Sequence, residues 1–393
     1  MIEMKILFIV RKYFPDISAS GNLIKPLAEA MTSNSTIDVL CLGESNKRET
    51  INEIDVIRIR AKKKKQLRII NKINRNLGIN YYDNSVYMSI LEVLNSSLKN
   101  SYDKFIAITY EEALALRDSD IDQEKKCMFL LEKIPYVNEF KKRFFKKKII
   151  DNQTNFFNSF SKIFCLNDVV EELASYIPQD IINKIVSLRH PMIREYNTNL
   201  VKDDNNEDNK TIRFLYGGGL DRKQRNPEKV IQLMSGIASR ENILFTIFSY
   251  GNYQERLKEL EKSNFFLQVY PPIDSEQFKS EMIKSDFLIS IGNKESDIIP
   301  SKIFDYISSQ RPIVHFAQSK DDKYFKILKE YPYALILNLY KLDKSESELL
   351  TFIEKYKAKK IPSEFIKNTF KQYTPEYVGE KIFIGLLEGK LDE

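Results

Sequence analysis

Short runs of apolar residues recur along the chain, and amphipathic stretches separate them. The runs lack the in–out alternation of half-exposed strands, which is typical of parallel strands covered on both faces. We therefore predict an α/β protein with parallel sheets. Seven runs form a first series, at 5–10, 37–42, 56–59, 105–109, 127–131, 162–166 and 185–188, and six form a second, at 212–219, 243–251, 266–270, 287–292, 312–317 and 334–339.

The two series predict two Rossmann-like domains. The stretch 197–210 between them is rich in Asn and Asp and almost free of apolar residues, which indicates a linker. The stretch from 374 onward starts with Thr-Pro and carries an apolar stripe, so we predict a terminal helix that packs back on the first domain. The predicted domains are residues 1–188 together with 371–393, and residues 189–370.

The composition is that of a folded protein with a polar surface, since 42% of the 393 residues are hydrophobic and 30% are charged. The apolar runs are much shorter than the roughly 18–20 residues of a transmembrane helix. Arg11 and Lys12 stop the first run without a secretory cleavage pattern, so we expect a cytoplasmic protein. The three cysteines lie in strand-like runs and are expected to be buried and reduced.

Three glycines end the first strand of the second series, in the sequence YGGGLDRKQRNPEK. The lack of Cβ atoms at Gly218 and Gly219 lets a ligand approach the backbone, and the next helix offers free N–H groups. Arg222 (or Lys223) and Arg225 add positive charge at the carboxyl edge of the sheet, where α/β proteins bind ligands. These features predict an anion site; the alternative is a plain glycine turn with solvated basic residues.

A second motif, SDIIPSKIFDYISSQRPIV, places one acid on each side of a predicted helix start. Its polar and helix-opening residues are, in order, Asp297, Pro300, Ser301, Lys302 and Asp305. Proline suits the first turn of a helix, and the free N–H groups there, together with Lys302, favour a diphosphate. The two carboxylates could then reach hydroxyl groups on either side of that phosphate. The alternative is that Asp305 pairs locally with Lys302.

These two motifs resemble those of the GT-B-fold glycosyltransferases of the family 4 type. That family carries a glycine-rich strand end, a basic pair for the donor diphosphate, and two Glu separated by seven residues. Here Asp297 and Asp305 stand at the positions of the two Glu, and RNP at 225–227 replaces the commoner KG. The resemblance covers residues 211–340 and, more weakly, YFPDISASGN at 13–22, which is similar to the family's acceptor loop.

The resemblance implies two Rossmann-like domains facing each other across a cleft. It implies transfer of a sugar from a nucleoside diphosphate donor to a hydroxyl of a saccharide acceptor, with retention of the anomeric configuration. Arg225 and Lys302 would stabilise the leaving diphosphate, Asp305 would bind the ribose, and Asp297, or Glu295 in its place, would bind the transferred sugar. The remaining donor-site residues implied are Gly21, Gly218, Gly219, Arg222, Pro300 and Ser301.

The implied chemistry needs no metal ion or other cofactor. Arg225, Lys302 and the helix N-termini would stabilise the charge that a divalent cation stabilises in other transferases. The acidic sequence DSDID at 118–122 follows a helical pattern, so we interpret it as a solvated helix end. The family's first-domain histidine has no counterpart, because His190 and His315 both lie in segments that favour a structural role.

Lysine and arginine cluster in the first domain at 58–75 and 138–151. The second cluster interleaves Phe and Ile with basic residues, as interfacial helices do at an anionic membrane. Nucleic acid is the rival partner, and the third interpretation is a pair of solvated faces. We favour the membrane over nucleic acid, since sugar acceptors are often lipid-linked, and predict attachment at its inner face.

The predicted function is therefore glycosyl transfer to a lipid-linked saccharide in the synthesis of a cell-surface polysaccharide or glycoconjugate. Two alternatives stay open. The first is the same fold with a soluble or protein acceptor. The second is a non-catalytic GT-B subunit that binds a glycan or an acceptor protein.

Overall fold

The computed structural model describes residues 4–16, 18–61, 83–132, 153–174, 177–195, 211–294, 301–342, 344–357, 359 and 361–388. The chain divides into two compact units, Met1–Pro191 with Gln372–Glu393, and Met192–Lys371. The predicted linker at 197–210 and most of both basic clusters lie outside the described residues.

The first unit is built on a sheet of eight strands. They are β1 (Met4–Ile9), β2 (Ser35–Gly43), β3 (Lys47–Ile51), β4 (Ile54–Arg60), β5 (Lys104–Ala107), β6 (Lys126–Leu130), β7 (Lys162–Leu166) and β8 (Ile185–Leu188). Their order in the sheet is β3-β4-β2-β1-β5-β6-β7-β8. The helices of the connections are α1 (Ala19–Met31), α2 (Asn84–Val93), α3 (Tyr110–Arg117), α4 (153–158), α5 (Asn167–Leu173) and α6 (Gln179–Ile182).

The second unit is built on a sheet of six strands. They are β9 (Ile212–Gly219), β10 (Ile243–Tyr250), β11 (Leu267–Tyr270), β12 (Phe287–Ile291), β13 (Ile313–Ala317) and β14 (Ala334–Asn338). Their order is β11-β10-β9-β12-β13-β14, and every pair is parallel. The helices are α7 (Glu228–Ala238), α8 (Gln254–Ser263), α9 (Ser275–Lys284), α10 (Lys302–Ser308), α11 (Tyr324–Lys329), α12 (Ser345–Tyr356) and α13 (Ser363–Thr369).

Each apolar run of the two series forms a strand, and the predicted α/β class is confirmed. The physical reason is visible in the central strands: every residue of β6, β12 and β13 is buried, because helices cover both faces of the sheet. The cysteines, Cys41, Cys127 and Cys165, are buried and free. None of the helices within the described ranges combines the length and hydropathy that a bilayer-crossing segment needs.

One strand, β3, escaped the sequence analysis, and it pairs antiparallel with β4 at the edge of an otherwise parallel sheet. Its sequence, KRETI, has no apolar run because the strand is mostly exposed. Polar side-chain pairs support it instead, including Lys47 Nζ–Glu49 Oε2 at 2.7 Å and Thr50 Oγ1–Asp55 Oδ1 at 2.8 Å. Apolar periodicity cannot detect a strand that buries so little.

The first basic cluster begins inside β4, and its first member is not a solvated residue. Arg58 is buried, with a side chain that donates to Glu49 Oε1 at 2.5 Å and to the Tyr13 carbonyl at 3.3 Å. Arg58 is therefore structural, whereas Arg60 is exposed at the end of β4.

The last helix, α14 (Pro375–Leu387), belongs to the first unit. Thr374 caps its start, since the Tyr377 N–H donates to Thr374 Oγ1 at 3.3 Å. Gly379 lets the helix pack closely on α1, because a Cβ at this position would lie 2.8 Å from Met31 Cγ. Its apolar stripe is thereby covered.

Glu112 is a fully buried carboxyl group in the first turn of α3. The Thr109 hydroxyl donates a hydrogen bond to Glu112 Oε2, whereas Oε1 has no hydrogen-bond partner among the described residues. Burial raises the pKa of Glu112 to about 8, against the lowering effects of its own backbone N–H and of Arg11. This carboxyl group is therefore protonated in the folded protein below that pH.

We expect Glu112→Gln to stabilise the first unit increasingly from about pH 5 to about pH 8. The unfolded chain releases this proton near 4.5 and the folded chain only near 8, so folding requires proton uptake between these values. The wild-type free energy of unfolding therefore loses this contribution as pH rises, while the neutral amide is unaffected. Thermal melts at several pH values measure the difference. A difference that does not grow with pH, or the same growth in a variant of the exposed Glu255, would contradict the burial argument.

Candidate functional site

The candidate site lies at the carboxyl ends of β9 and β12 in the second unit. These two strands are neighbours, and from them the strand order runs outward in opposite directions. Such a switch point leaves a crevice at the carboxyl edge of the sheet, which is where ligands of open α/β sheets bind. The glycine motif starts in the last residues of β9, and the second motif follows β12 in the chain.

The glycines that end β9 differ in how strongly their surroundings require them. A Cβ at Gly217 would overlap the Phe278 ring, and the Gly217 N–H donates to the Tyr306 hydroxyl at 3.0 Å. Gly218 has a φ of +153°, which disfavours residues with a side chain. A Cβ at Gly219 would lie 3.1 Å from the Tyr250 ring. The sequence pointed to Gly218 and Gly219 but not to Gly217.

A tight turn after β9 presents Arg225. Asp221 Oδ1 accepts from the backbone N–H groups of Lys223 at 2.8 Å and Gln224 at 2.7 Å, which closes the turn. The Arg225 guanidinium donates to Asn293 Oδ1 from Nε at 3.0 Å and from Nη2 at 2.7 Å. Arg225 Nη1 also lies 3.4 Å from the Gly219 carbonyl. These partners are neutral, so they orient the guanidinium without cancelling its charge.

Lys302 lies at the same edge, on the first turn of α10. Its Nζ is 4.1 Å from the centre of the Phe278 ring, a cation–π contact with the ring that fills the space beside Gly217. Burial lowers the pKa of Lys302, and the charge of Asp305 opposes that shift. Arg225 thus contacts the end of β9 directly, through the Gly219 carbonyl. Lys302 contacts the same strand end indirectly, through the Phe278 ring that packs on Gly217.

The structure contains a helix at the predicted position. The structure begins α10 at Lys302, with the exposed Ser301 as the residue before the helix and without a side-chain cap. Pro300, Asp297 and Glu295 lie outside the described residues. Asp305 is half-buried in the first turn of α10, as expected, and its charge acts on Lys302.

Two other predicted site residues are Arg222, in the second unit, and Gly21, in the first. Arg222 is exposed on the turn after β9. Gly21 lies in the first unit, inside α1, where its N–H donates to Ser18 Oγ at 2.9 Å. A Cβ at Gly21 would press on the Lys12 carbonyl, so a close backbone approach already requires this glycine.

The two histidines lie in different units. His315 is fully buried on β13, with Nδ1 3.0 Å from Ser290 Oγ and Nε2 3.1 Å from Asp322 Oδ2. His190 lies in the first unit, where burial lowers its pKa and Asp168 lies 3.8 Å away.

The acidic sequence at 118–122 begins at the end of α3, as the sequence analysis interpreted it. Asp118 follows the last residue of the helix, and its carboxylate accepts from Arg117 at 2.6 Å and from the Tyr87 hydroxyl at 2.9 Å. Across the described ranges, no three His, Cys, Asp or Glu side chains are grouped so as to hold a metal ion.

The sequence analysis missed three residues that organise the site: Asn293, Tyr306 and Gln318. Asn293 follows a buried strand at the carboxyl edge, and that position was a usable signal. Tyr306 and Gln318 contact residues far away in sequence, the Gly217 N–H for Tyr306 and the Gln224 and Gly292 carbonyls for Gln318. No local sequence pattern predicts contacts between residues so far apart in the chain.

We expect Tyr306→Phe to destabilise the protein by about 1–3 kcal/mol, because it leaves the buried N–H of Gly217 without an acceptor. Denaturant unfolding measures the change. Tyr340→Phe is the matched control, since Tyr340 is 48% exposed and the same atom is removed there. Equal stability of the two variants would show that the Gly217–Tyr306 bond contributes nothing.

No protein-family model and no curated protein matches the sequence. Solved structures do match. An α,α-trehalose 6-phosphate synthase from Burkholderia multivorans superposes with a TM-score of 0.65 at 10% identity, covering 100% of both chains. A lipopolysaccharide outer core galactosyltransferase has a TM-score of 0.59 at 12% identity, covering 98% of this chain and 100% of its own.

A protein from Anabaena, solved in complex with UDP and glucose, has a TM-score of 0.58 at 10% identity and covers 98% of this chain and 100% of its own. At such identities the likeness establishes the fold. The chain therefore has the GT-B fold predicted from its sequence, the fold of the glycosyltransferases that its structure resembles.

Proposed function

We propose that this chain is a glycosyltransferase that moves a sugar from a nucleoside diphosphate donor to a hydroxyl of a saccharide acceptor. The observation that carries the proposal is the pair of cations at the end of β9. Arg225 is held by an amide oxygen and a backbone carbonyl, and Lys302 by an aromatic face. The fold, which is that of known glycosyltransferases, supports the same assignment.

A diphosphate suits this edge of the sheet in charge and in shape. Gly218 and Gly219 present backbone without side chains, so a phosphate could approach closely. The guanidinium of Arg225 offers a planar donor set, while the ammonium of Lys302 acts as a point charge. Lys302 is also partly desolvated, which strengthens its attraction to an anion.

The reaction's difficult event is departure of the diphosphate while positive charge develops on the sugar. Arg225 and Lys302 are already fixed in place, so they would stabilise the leaving group without reorganisation. We propose on this ground that transfer needs no metal ion. Retention of the anomeric configuration is part of the same proposal.

The acids would act on the hydroxyl groups of the donor. Asp305 lies in the first turn of α10, close enough to Lys302 for its charge to affect that lysine's pKa. We assign Asp305 to the ribose of the nucleotide and Asp297, or Glu295 in its place, to the transferred sugar. The remaining alternative is that Asp305 only pairs with Lys302.

For the acceptor we propose a lipid-linked saccharide, reached by a protein attached to the inner face of the cytoplasmic membrane. The support is the basic-aromatic sequence at 138–151, together with a structural neighbour named as a lipopolysaccharide galactosyltransferase. A protein acceptor, or binding without catalysis, would appear in the experiments below as transfer to protein or as nucleotide binding without transfer.

We expect Arg225→Ala and Lys302→Ala each to abolish detectable transfer. Loss of one preorganised contact to a developing charge costs about 2.7–4 kcal/mol, or roughly 10²–10³ in kcat. UDP-, GDP- and dTDP-sugars are screened first by thermal shift, and turnover of the donor that binds is then measured. Lys262→Ala is the control, because Lys262 is exposed in the last turn of α8 and belongs to neither sequence motif.

Thermal melts of each variant separate a loss of charge from a loss of fold, which matters for Arg225 because it also bonds to Asn293. Wild-type turnover in either variant would remove that residue from the site. Wild-type activity should survive EDTA, and complete inhibition by EDTA would indicate a metal-dependent mechanism instead.

We expect Asp305→Asn to weaken binding of the free nucleoside diphosphate, and Asp297→Asn to preserve that binding while reducing transfer. A ribose lies on the nucleotide, whereas the transferred sugar is absent from the free diphosphate. Calorimetric titration and turnover are measured on both variants and on Glu295→Gln. Unchanged nucleotide affinity in Asp305→Asn would favour the local pair with Lys302, and full activity of both other variants would exclude them from the sugar site.

A further inference from the structure

Gln318 joins two loops at the candidate site although it belongs to neither. It directly follows β13, and its side-chain amide nitrogen donates to the Gln224 carbonyl at 2.8 Å and to the Gly292 carbonyl at 2.6 Å. One NH₂ group thus bridges the turn after β9 and the loop after β12. Gln318 itself is half-buried.

The two carbonyls belong to the residues that directly precede Arg225 and its hydrogen-bond acceptor, Asn293. Gln224 precedes Arg225, and Gly292 precedes Asn293, whose Oδ1 accepts from Arg225 at 2.7 and 3.0 Å. The Lys294 N–H also donates to the Gln224 carbonyl, at 2.9 Å. Fixing these two loops against each other therefore fixes the direction of the guanidinium.

Buried side-chain contacts of His315 and Asp322 hold the segment that carries Gln318. Asp322 and His315 form a buried pair at 3.1 Å, and the other ring nitrogen of His315 lies 3.0 Å from Ser290 on β12. Asp322 Oδ1 accepts from the Tyr324 N–H at 2.9 Å. A Cβ at Gly292 would overlap the Asp322 carboxylate, so this glycine allows the carboxylate to pack beneath the β12 loop.

We propose that Gln318 is a positioning residue for Arg225, held in place by the His315–Asp322 pair. Its bridge sets the angle at which the guanidinium meets a donor diphosphate, without itself touching the ligand. The inference deepens the proposed function and rests on it, because it concerns the same diphosphate. The competing explanation is that the bridge only ties two loops together and contributes to stability alone.

A double-mutant cycle separates these explanations, since a residue that acts through Arg225 has no effect once Arg225 is gone. The variants are Gln318→Met, Arg225→Ala and the double variant. Methionine matches the length of glutamine and lacks the two donors. Binding of UDP, GDP and dTDP is titrated separately to each protein, and thermal melts are recorded in parallel.

We expect Gln318→Met to weaken binding of the recognised nucleotide roughly tenfold in the wild-type background, and less than about twofold in the Arg225→Ala background. The matched control is Gln123→Met, which removes a 2.8 Å bond from Gln123 to the Asn158 carbonyl in the first unit. It should leave nucleotide affinity unchanged in both backgrounds.

Equal losses of affinity in both backgrounds, or unchanged affinity with a lowered melting temperature, would overturn the positioning role. If Gln318→Met does not fold, Gln318→Asn replaces it, because the shorter amide cannot span both carbonyls and the same expectations apply. If the wild-type protein binds none of the three nucleotides, the proposed function fails and this inference fails with it. Binding to wild type with no coupling between the two residues overturns the inference alone.

Discussion

The candidate site depends on the absence of a side chain at Gly217. The Phe278 ring occupies the space where a Cβ would stand, and the Tyr306 hydroxyl accepts from the Gly217 N–H. The first contact brings α9 against the end of β9 and places an aromatic face under Lys302. The second joins α10 to the same strand end. A substitution at this position would therefore displace both helices that border the cation pair.

The two cations share a second feature, which is that each contacts an uncharged group, although the charge of Asp305 also acts on Lys302. An aspartate in place of Asn293 would orient Arg225 equally well, but it would cancel most of the guanidinium charge in a partly buried setting. The amide oxygen of Asn293 orients the guanidinium without cancelling its charge. The Phe278 face does the same for Lys302, since a ring quadrupole attracts a cation but carries no net charge. Such anchoring leaves the charge of Arg225 uncompensated by the oxygens to which it donates.

The sequence allowed accurate prediction where the signal is local. Buried parallel strands are continuous apolar runs, so the strands of both units could be placed, and β3 was missed because an exposed edge strand such as KRETI has no such run. The glycines that end β9 and the basic residues that follow could also be identified, because they are consecutive in the sequence. The roles of Gly217, Tyr306 and Gln318 could not be predicted in this way, because they arise from contacts between distant parts of the chain. Gly217 contacts Phe278, 61 positions away, and Tyr306, 89 positions away. Gln318 contacts carbonyls that lie 94 and 26 positions away. Only a folded backbone brings such residues together.

Two ionisable groups, the buried Glu112 and the partly desolvated Lys302, oppose folding with opposite dependence on pH. Burial raises the pKa of Glu112, so its contribution to stability falls as pH rises; burial lowers the pKa of Lys302, so its cost falls as pH rises. The costs also differ in whether a ligand can offset them. Glu112 is fully buried, so only protonation removes the cost of its charge. Lys302 is half-exposed at the edge of the sheet, where a ligand could reach it. An anion bound there would favour the charged form of Lys302 and raise its pKa again, so on the alkaline side binding would be accompanied by proton uptake. A phosphate bound beside Lys302 would offset this desolvation cost, and it would thereby link the stability of this unit to the proposed ligand.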